Sequence, residues 1–120
     1  MIIYEIPSSD SFFRLLDANP GLVILKFGAD WCQPCKRIRP VVDAFFATSP
    51  DNVVCGDINI DTSTDLYTYL KSRKMVVSVP TLLVYKKSNT SFIPDDSVVG
   101  ADPVQLDLFF HRCNKLLRSG

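Results

Sequence analysis

The sequence predicts an α/β fold, a central mixed five-stranded sheet flanked by four helices. Segments of strand and helix character follow one another as βαβαβα and then ββα, an order that builds a sheet with helices packed on it. Leu22-Val23-Ile24-Leu25-Lys26-Phe27 is a nearly continuous apolar run, as expected of a central strand covered on both faces. Of the 120 residues 47% are hydrophobic and 22% charged with zero net formal charge, a balance that suits a compact globule and argues against disorder. The length fits one domain, 1–120, whose core needs no disulfide staples.

Residues 2–6 alternate and read as a short strand ended by Pro7. Ser8, Ser9 or Asp10 then caps a helix through about Ala18, with Phe12, Phe13, Leu15 and Leu16 as its apolar face. Asn19-Pro20-Gly21 is a turn into the strand Leu22–Phe27. The next helix starts near Cys32–Pro34, since proline is tolerated in a first turn, and carries Ile38, Val41, Val42, Phe45 and Phe46 at helical spacing. Pro40 inside it removes one hydrogen bond and is expected to kink it. Asn52 to Ile60 gives a strand. Asp61 or Thr62 opens a helix with Leu66, Tyr67 and Leu70, which ends on the basic residues Lys71, Arg73 and Lys74.

Met75 to Val79 leads to Pro80 and the strand Thr81–Tyr85. After a polar turn, Lys86 to Asn89, the segment Phe92–Val99 returns antiparallel, interrupted at Pro94-Asp95-Asp96, and Gly100 ends it. Asp102 caps a last helix from Pro103 to about Arg118, with Val104, Leu106, Leu108, Phe109, Leu116 and Leu117 as apolar residues. Phe12, Phe13, Phe45, Phe46, Phe109 and Phe110 are expected in the core. The Asp95-Asp96 pair is expected in solvent.

One pentapeptide names a chemistry. Trp31-Cys32-Gln33-Pro34-Cys35 follows the apolar strand and opens a helical pattern. Two cysteines separated by two residues can cycle between dithiol and disulfide. The helix N-terminus, with its partial positive charge and free N–H groups, stabilises a thiolate on Cys32, and the thiolate is the attacking species in thiol–disulfide exchange. A zinc site competes for such cysteines and needs four ligands. The remaining candidates are Cys55, Cys113 and the single His111, with no second C-x-x-C, so no metal is expected. Cys55, in an apolar strand, is expected as a small core residue, and Cys113 and His111 at surface or partly packed helix positions.

Together with this motif, Phe27-x-Ala29-x-Trp31-Cys32-x-Pro34-Cys35-Lys36, Pro40, Asn59-Ile60-Asp61, Val79-Pro80-Thr81 and Val99-Gly100 resemble the thioredoxin family across essentially the whole chain. The resemblance implies a dithiol at a protruding strand–helix junction and a cis bond before Pro80 that faces it. It implies that Cys32 is the exposed nucleophile, that Cys35 is the more buried resolving thiol, and that Trp31 shields the site. Trp31, Gln33, Pro34, Val79, Pro80 and Gly100 are then the target-facing residues, with the backbone at Val79 pairing with an extended target segment. The family further implies reduction of disulfide-containing target proteins, a thioredoxin-reductase-like electron donor, and no bound cofactor.

Two positions depart from the family pattern. Gln33 replaces the glycine typical there. Thioredoxins usually carry a buried aspartate at the position of Lys26 and a lysine at that of Asp57, and here the two charge types are exchanged. An isolated buried ammonium is expensive, so Lys26 and Asp57 are expected to pair with reversed polarity and serve proton transfer at Cys35. The alternative is a Lys26 that extends to solvent, with the proton path lost. These departures leave open a tryparedoxin-like oxidoreductase with another donor, or a thioredoxin-fold interaction subunit whose redox activity is incidental.

Other classes lose support. Without a basic excess or basic run, nucleic acid is not an expected partner. No phosphate-cradling glycine loop is present, so a nucleotide is not expected either. The beginning, Met1-Ile2-Ile3-Tyr4-Glu5-Ile6-Pro7, lacks the basic and sustained apolar regions of a secretory signal, and no segment has the length of a membrane span. A cytoplasmic monomer is the expectation.

Overall fold

A computed structural model describes residues 1–119. Its elements are β1 (Ile2–Ile3), α1 (Ser9–Asp17), β2 (Leu22–Gly28), α2 (Gln33–Ala47), β3 (Val53–Asn59), α3 (Thr64–Ser72), β4 (Thr81–Lys86), β5 (Asp96–Val99) and α4 (Pro103–Ser119). The five strands lie in the order β1-β3-β2-β4-β5. β1, β3 and β2 run parallel, while β4 is antiparallel to β2 and β5 to β4, so the sheet is mixed as expected.

All seven residues of β2 are buried, and alternation sends them to opposite faces. Val23, Leu25 and Phe27 join Phe12 and Leu16 of α1 and Leu66 and Leu70 of α3 in one core layer. Leu22 and Ile24 join Ile38, Val42 and Phe46 of α2 and Leu106, Phe109 and Cys113 of α4 in the other. Lys26 is next in the second series. On β3, Val53 and Cys55 belong to that same layer and Asp57 follows them. Parallel pairing sets Lys26 opposite Asp57, so both charged side chains emerge side by side on the face covered by α2.

Several elements differ from the sequence expectation. β1 ends at Ile3 instead of residue 6, because the chain leaves β3 there: Ile6 is buried and its N–H donates to Ser63 Oγ of the α3 cap. The return strand starts at Asp96 instead of Phe92. Pro94 has no N–H to give, and Asp95 accepts from Lys86 N and Asn89 Nδ2, which makes the preceding stretch a turn. Asp96 is also engaged, gripped by the guanidinium of Arg112 across to α4. The acidic pair therefore fastens the β4–β5 edge and is not merely solvated.

Helix faces bring further corrections. Val41, Val104 and Leu108 are exposed, while Cys113, expected near the surface, is fully buried with Leu106, Phe109 and Phe110. Those four recur at the spacing of one helix face, whereas Val104 and Leu108 fall on the opposite side. Ser8 caps α1 by accepting from Ser11 N, and Asp102 caps α4 by accepting from Val104 N and Gln105 N. α2 continues as helix through Pro40 to Ala47.

Candidate active site

β2 ends at Gly28, and the turn after it delivers Cys32 to the N-cap of α2, where Cys32 N donates to Ala29 O at 3.2 Å. Pro34 lies in the first turn, where its missing N–H costs the helix nothing. Cys32 and Cys35 are joined in a disulfide with Cα atoms 5.3 Å apart, inside the span that such a bond bridges. Cys35 N donates to Cys32 Sγ at 3.2 Å. A helix N–H already aimed at the outer sulfur favours negative charge there once the bond opens.

Cys32 is more enclosed than the expected exposed nucleophile. It is only 4% accessible, against 1% for Cys35. The disulfide folds the outer sulfur toward the loop before β4, where Sγ lies 3.7 Å from Val79 O, a contact without a proton in the oxidised pair. The open part of the site is Trp31, 64% accessible, whose Nε1 donates to Asp61 Oδ2 at 2.9 Å and holds the indole toward the β3–α3 turn. Gln33 is exposed and Pro34 half-buried beside it.

The Val79–Pro80 bond is cis, Val79 is half-buried and Pro80 is buried. Gly100, at φ 92° in the left-handed region, donates its N–H to Pro80 O at 2.9 Å and ties the end of β5 to this loop. Trp31, Gln33 and Pro34 thus border the outer sulfur from the helix side, and Val79 approaches it from the loop side.

The inner sulfur faces a different environment. A cavity of about 270 Å³ is lined by Cys35, Gly28, Lys26, Asp57 and Arg39, with Tyr4, Glu5 and Asp30 among its outer residues. Lys26 Nζ lies 3.5 Å from Asp57 Oδ1, with Lys26 only 1% and Asp57 19% accessible. Arg39 Nη1 approaches the other carboxylate oxygen at 4.0 Å. Gly28 leaves the room that brings these groups together: a methyl there would sit 3.3 Å from Cys35 Sγ and 3.7 Å from Lys26 Cε. Arg39 and Gly28 escaped the sequence reading. Arg39 stands one helical turn beyond Cys35, a spacing that places both on one face of α2.

The other cysteines are packed away. Burial pushes the Cys55 thiol up from its ordinary value, partly offset by its contact with Ser49, and pushes Cys113 up much further. Buried, poorly ionised thiols are inert. His111 is exposed and pairs with Asp107 one turn earlier. Among the described residues no group of three His, Cys, Asp or Glu side chains is placed to hold a metal ion, and no helix is long and apolar enough to cross a membrane.

A helix-capping cysteine joined to its neighbour three residues on, beside a cis-proline loop on an α/β sheet, defines a dithiol–disulfide oxidoreductase. The thioredoxin family matches residues 4–109, and the chain belongs to that family. It is 31% identical to a thioredoxin of Coprinus comatus over 107 residues, covering 88% of this chain and 92% of that one. It is 37% identical to a thioredoxin of Chlamydia pneumoniae over 86 residues, covering 71% and 76%. Among solved structures, Malassezia sympodialis thioredoxin superposes with TM-score 0.70 at 27% identity over 92% of this chain and 91% of its own. Fasciola hepatica thioredoxin, at 22% identity and TM-score 0.72 over 92% and 98%, shares the fold. The protein is a thioredoxin-type protein-disulfide reductase that works by reversible exchange between the Cys32–Cys35 dithiol and disulfide.

Proposed function

We propose that this reductase acts in a cytoplasmic thiol pool, as a monomer, and draws its electrons from a separate thioredoxin-reductase-like protein, so that it contributes to cell redox homeostasis. Cys32 is the nucleophile and Cys35 the resolving thiol. The observation that carries this assignment is the Cys35 N–H directed at Cys32 Sγ at the N-terminus of α2, which favours a thiolate on the outer sulfur only. The Cys32 thiolate attacks a target disulfide, forming the mixed disulfide and releasing one target thiolate. Cys35 then attacks Cys32 Sγ, which expels the second target sulfur and leaves the target reduced by two electrons.

Trp31, Gln33, Pro34, Val79, Pro80 and Gly100 form the face that receives the target. Support comes from Val79 O at 3.7 Å from the outer sulfur, within reach of a segment laid along the loop as an added strand. Lys26 and Asp57 serve the second step, where Asp57, or a water held between the two, receives the Cys35 proton. Their placement on the wall of the Cys35 cavity supports that role.

Insulin-disulfide reduction with a dithiol donor tests the reading. Cys32→Ser is expected to fall to the uncatalysed rate, and Cys35→Ser to accumulate mixed disulfides with targets. Turnover that survives Cys32→Ser, or a stable assembly indifferent to it, would transfer the function to a scaffold.

A further inference from the structure

We propose that Lys26, Asp57 and Arg39 form a shared-charge cluster that sets the ionisation of the Cys35 thiol in the second step, with Arg39 as a positioning residue that regulates how much of the Lys26 charge the sulfur feels. The proposal rests on the assignment of Cys35 as the resolving thiol.

The geometry begins with the sheet. Parallel register places Lys26 beside Asp57, and the face they share is covered by α2, the helix that carries Cys35. Their 3.5 Å separation is longer than the roughly 2.7–2.9 Å of a tight charge-assisted hydrogen bond. The second oxygen of Asp57 is turned to Arg39 at 4.0 Å. One carboxylate is divided between two cations, which leaves the inner end of the cavity with an excess positive charge. The sulfur shares this cavity with the Lys26 chain, because Lys26 Cε and Cys35 Sγ flank the space left open by Gly28.

The remaining charged groups on the cavity wall, Glu5 and Asp30, are exposed at its rim, where water and salt screen them. Tyr4 also lines the rim. At about 30 Å³ per water the cavity has room for several, enough to take a proton outward.

Cys35 S–H gives its proton to the water held between Lys26 and Asp57, and the thiolate attacks Cys32 Sγ of the mixed disulfide. The Cys32–Cys35 bond forms, the bond from Cys32 to the target breaks, and the target sulfur leaves as a thiolate that is protonated from solvent. An ammonium beside the sulfur favours its thiolate and a carboxylate disfavours it. Removing Lys26 therefore makes Cys35 ionise at higher pH, and removing the Asp57 charge at lower pH. Removing Arg39 acts like a weaker loss of Lys26, because the released carboxylate then turns fully onto the ammonium.

The reduced full-length protein, mixed with a neutral dipyridyl disulfide in a stopped-flow instrument, releases one pyridinethione when Cys32 attacks and a second when Cys35 does. The pH midpoint of the second release is the readout. Lys26→Met is expected to raise it by about one unit, slowing the step about tenfold below the midpoint. Asp57→Asn is expected to lower it. Arg39→Gln is expected to raise it by about half a unit, about threefold in rate, with Arg39→Lys restoring the wild-type profile. Arg39 is half exposed, so its variants keep the test independent of folding losses in the buried pair. Midpoint shifts of the same sign for Lys26→Met and Asp57→Asn, or an unchanged midpoint for Arg39→Gln, overturn the proposal. Loss of the first release in the wild type would instead overturn the dithiol assignment beneath it.

Discussion

Replacing Asp57 by Asn is expected to destabilise the oxidised protein far more than replacing Lys26 by Met. At 3.5 Å and an effective dielectric constant near 20, the gross attraction within the pair is about 5 kcal/mol. Removing one partner of a buried pair costs about 3–5 kcal/mol because the other charge is stranded. Lys26 is 1% accessible, and Asp57 is its ion-pair partner among the described residues. Its ammonium does reach a cavity that can hold water, which reduces the loss for Asp57→Asn to about 2–3 kcal/mol. Asp57 is better provided for: it is a fifth accessible and keeps Arg39 when Lys26 is gone. Methionine at 26 extends the apolar face of Leu22 and Ile24, so Lys26→Met is expected to lie within about 1 kcal/mol of wild type. The double variant should recover most of the Asp57→Asn loss, a coupling of about 2 kcal/mol. Urea unfolding of the oxidised protein near neutral pH measures all four species. A loss for Asp57→Asn below about 0.5 kcal/mol, or a larger loss for Lys26→Met, would refute the asymmetry argument.

Two further outcomes follow from burial and from close approach. Burial raises the Cys55 and Cys113 thiols in the folded chain, whereas the unfolded chain releases those protons near pH 8.5. The folded state then holds protons that the unfolded state has lost, so their contribution is fully present below about pH 8.5 and is lost as pH rises above it. Each thiol adds a slope of up to about 1.4 kcal/mol per pH unit, and Cys113→Ala should remove one share; urea midpoints that stay flat to about pH 10 would contradict this. Gly28→Ala places a methyl 3.3 Å from Cys35 Sγ and 3.7 Å from Lys26 Cε, and is expected to cost about 1–3 kcal/mol in unfolding measurements and to slow insulin reduction. Wild-type stability together with wild-type turnover would show that the space beside the inner sulfur is not needed.

The central strand and the dithiol helix were legible because each carries its signal locally. β2 is apolar throughout since both its faces are covered, and a cysteine pair with Pro34 in a first turn announces a helix start. The ends of the sheet were less legible. β1 and β5 are edge strands whose length depends on where the chain departs, and Ile6, Asp95 and Asp96 find their partners in other elements. α4 misled for a different reason. It has apolar residues around its whole circumference, and only the set Leu106, Phe109, Phe110 and Cys113 shares one face. An apolar count weighs Val104 and Leu108 like the rest, whereas strict helical periodicity buries Cys113. Arg39 was less legible, because its spacing from Cys35 gives its helix face whereas its partner Asp57 comes from a different element, β3.

The exchanged charges at 26 and 57 separate what the fold requires from what the chemistry feels. For the sheet, the requirement is symmetric: two side chains that register forces together must neutralise one another, and either polarity does so. For the sulfur it is not, because position 26 is buried beside the space next to Cys35 while position 57 is partly open toward Arg39. A cation at the inner position stabilises the reduced, ionised dithiol relative to the disulfide, and an anion there would do the reverse. The exchange is therefore expected to leave the architecture intact and to shift the redox equilibrium toward the dithiol, giving a weaker reductant than the same scaffold with the charges reversed. Lys26→Asp combined with Asp57→Lys puts this to a direct measurement: the equilibrium potential against glutathione should become more negative, and an unchanged or more positive value would show that the sulfurs do not sense the inner charge.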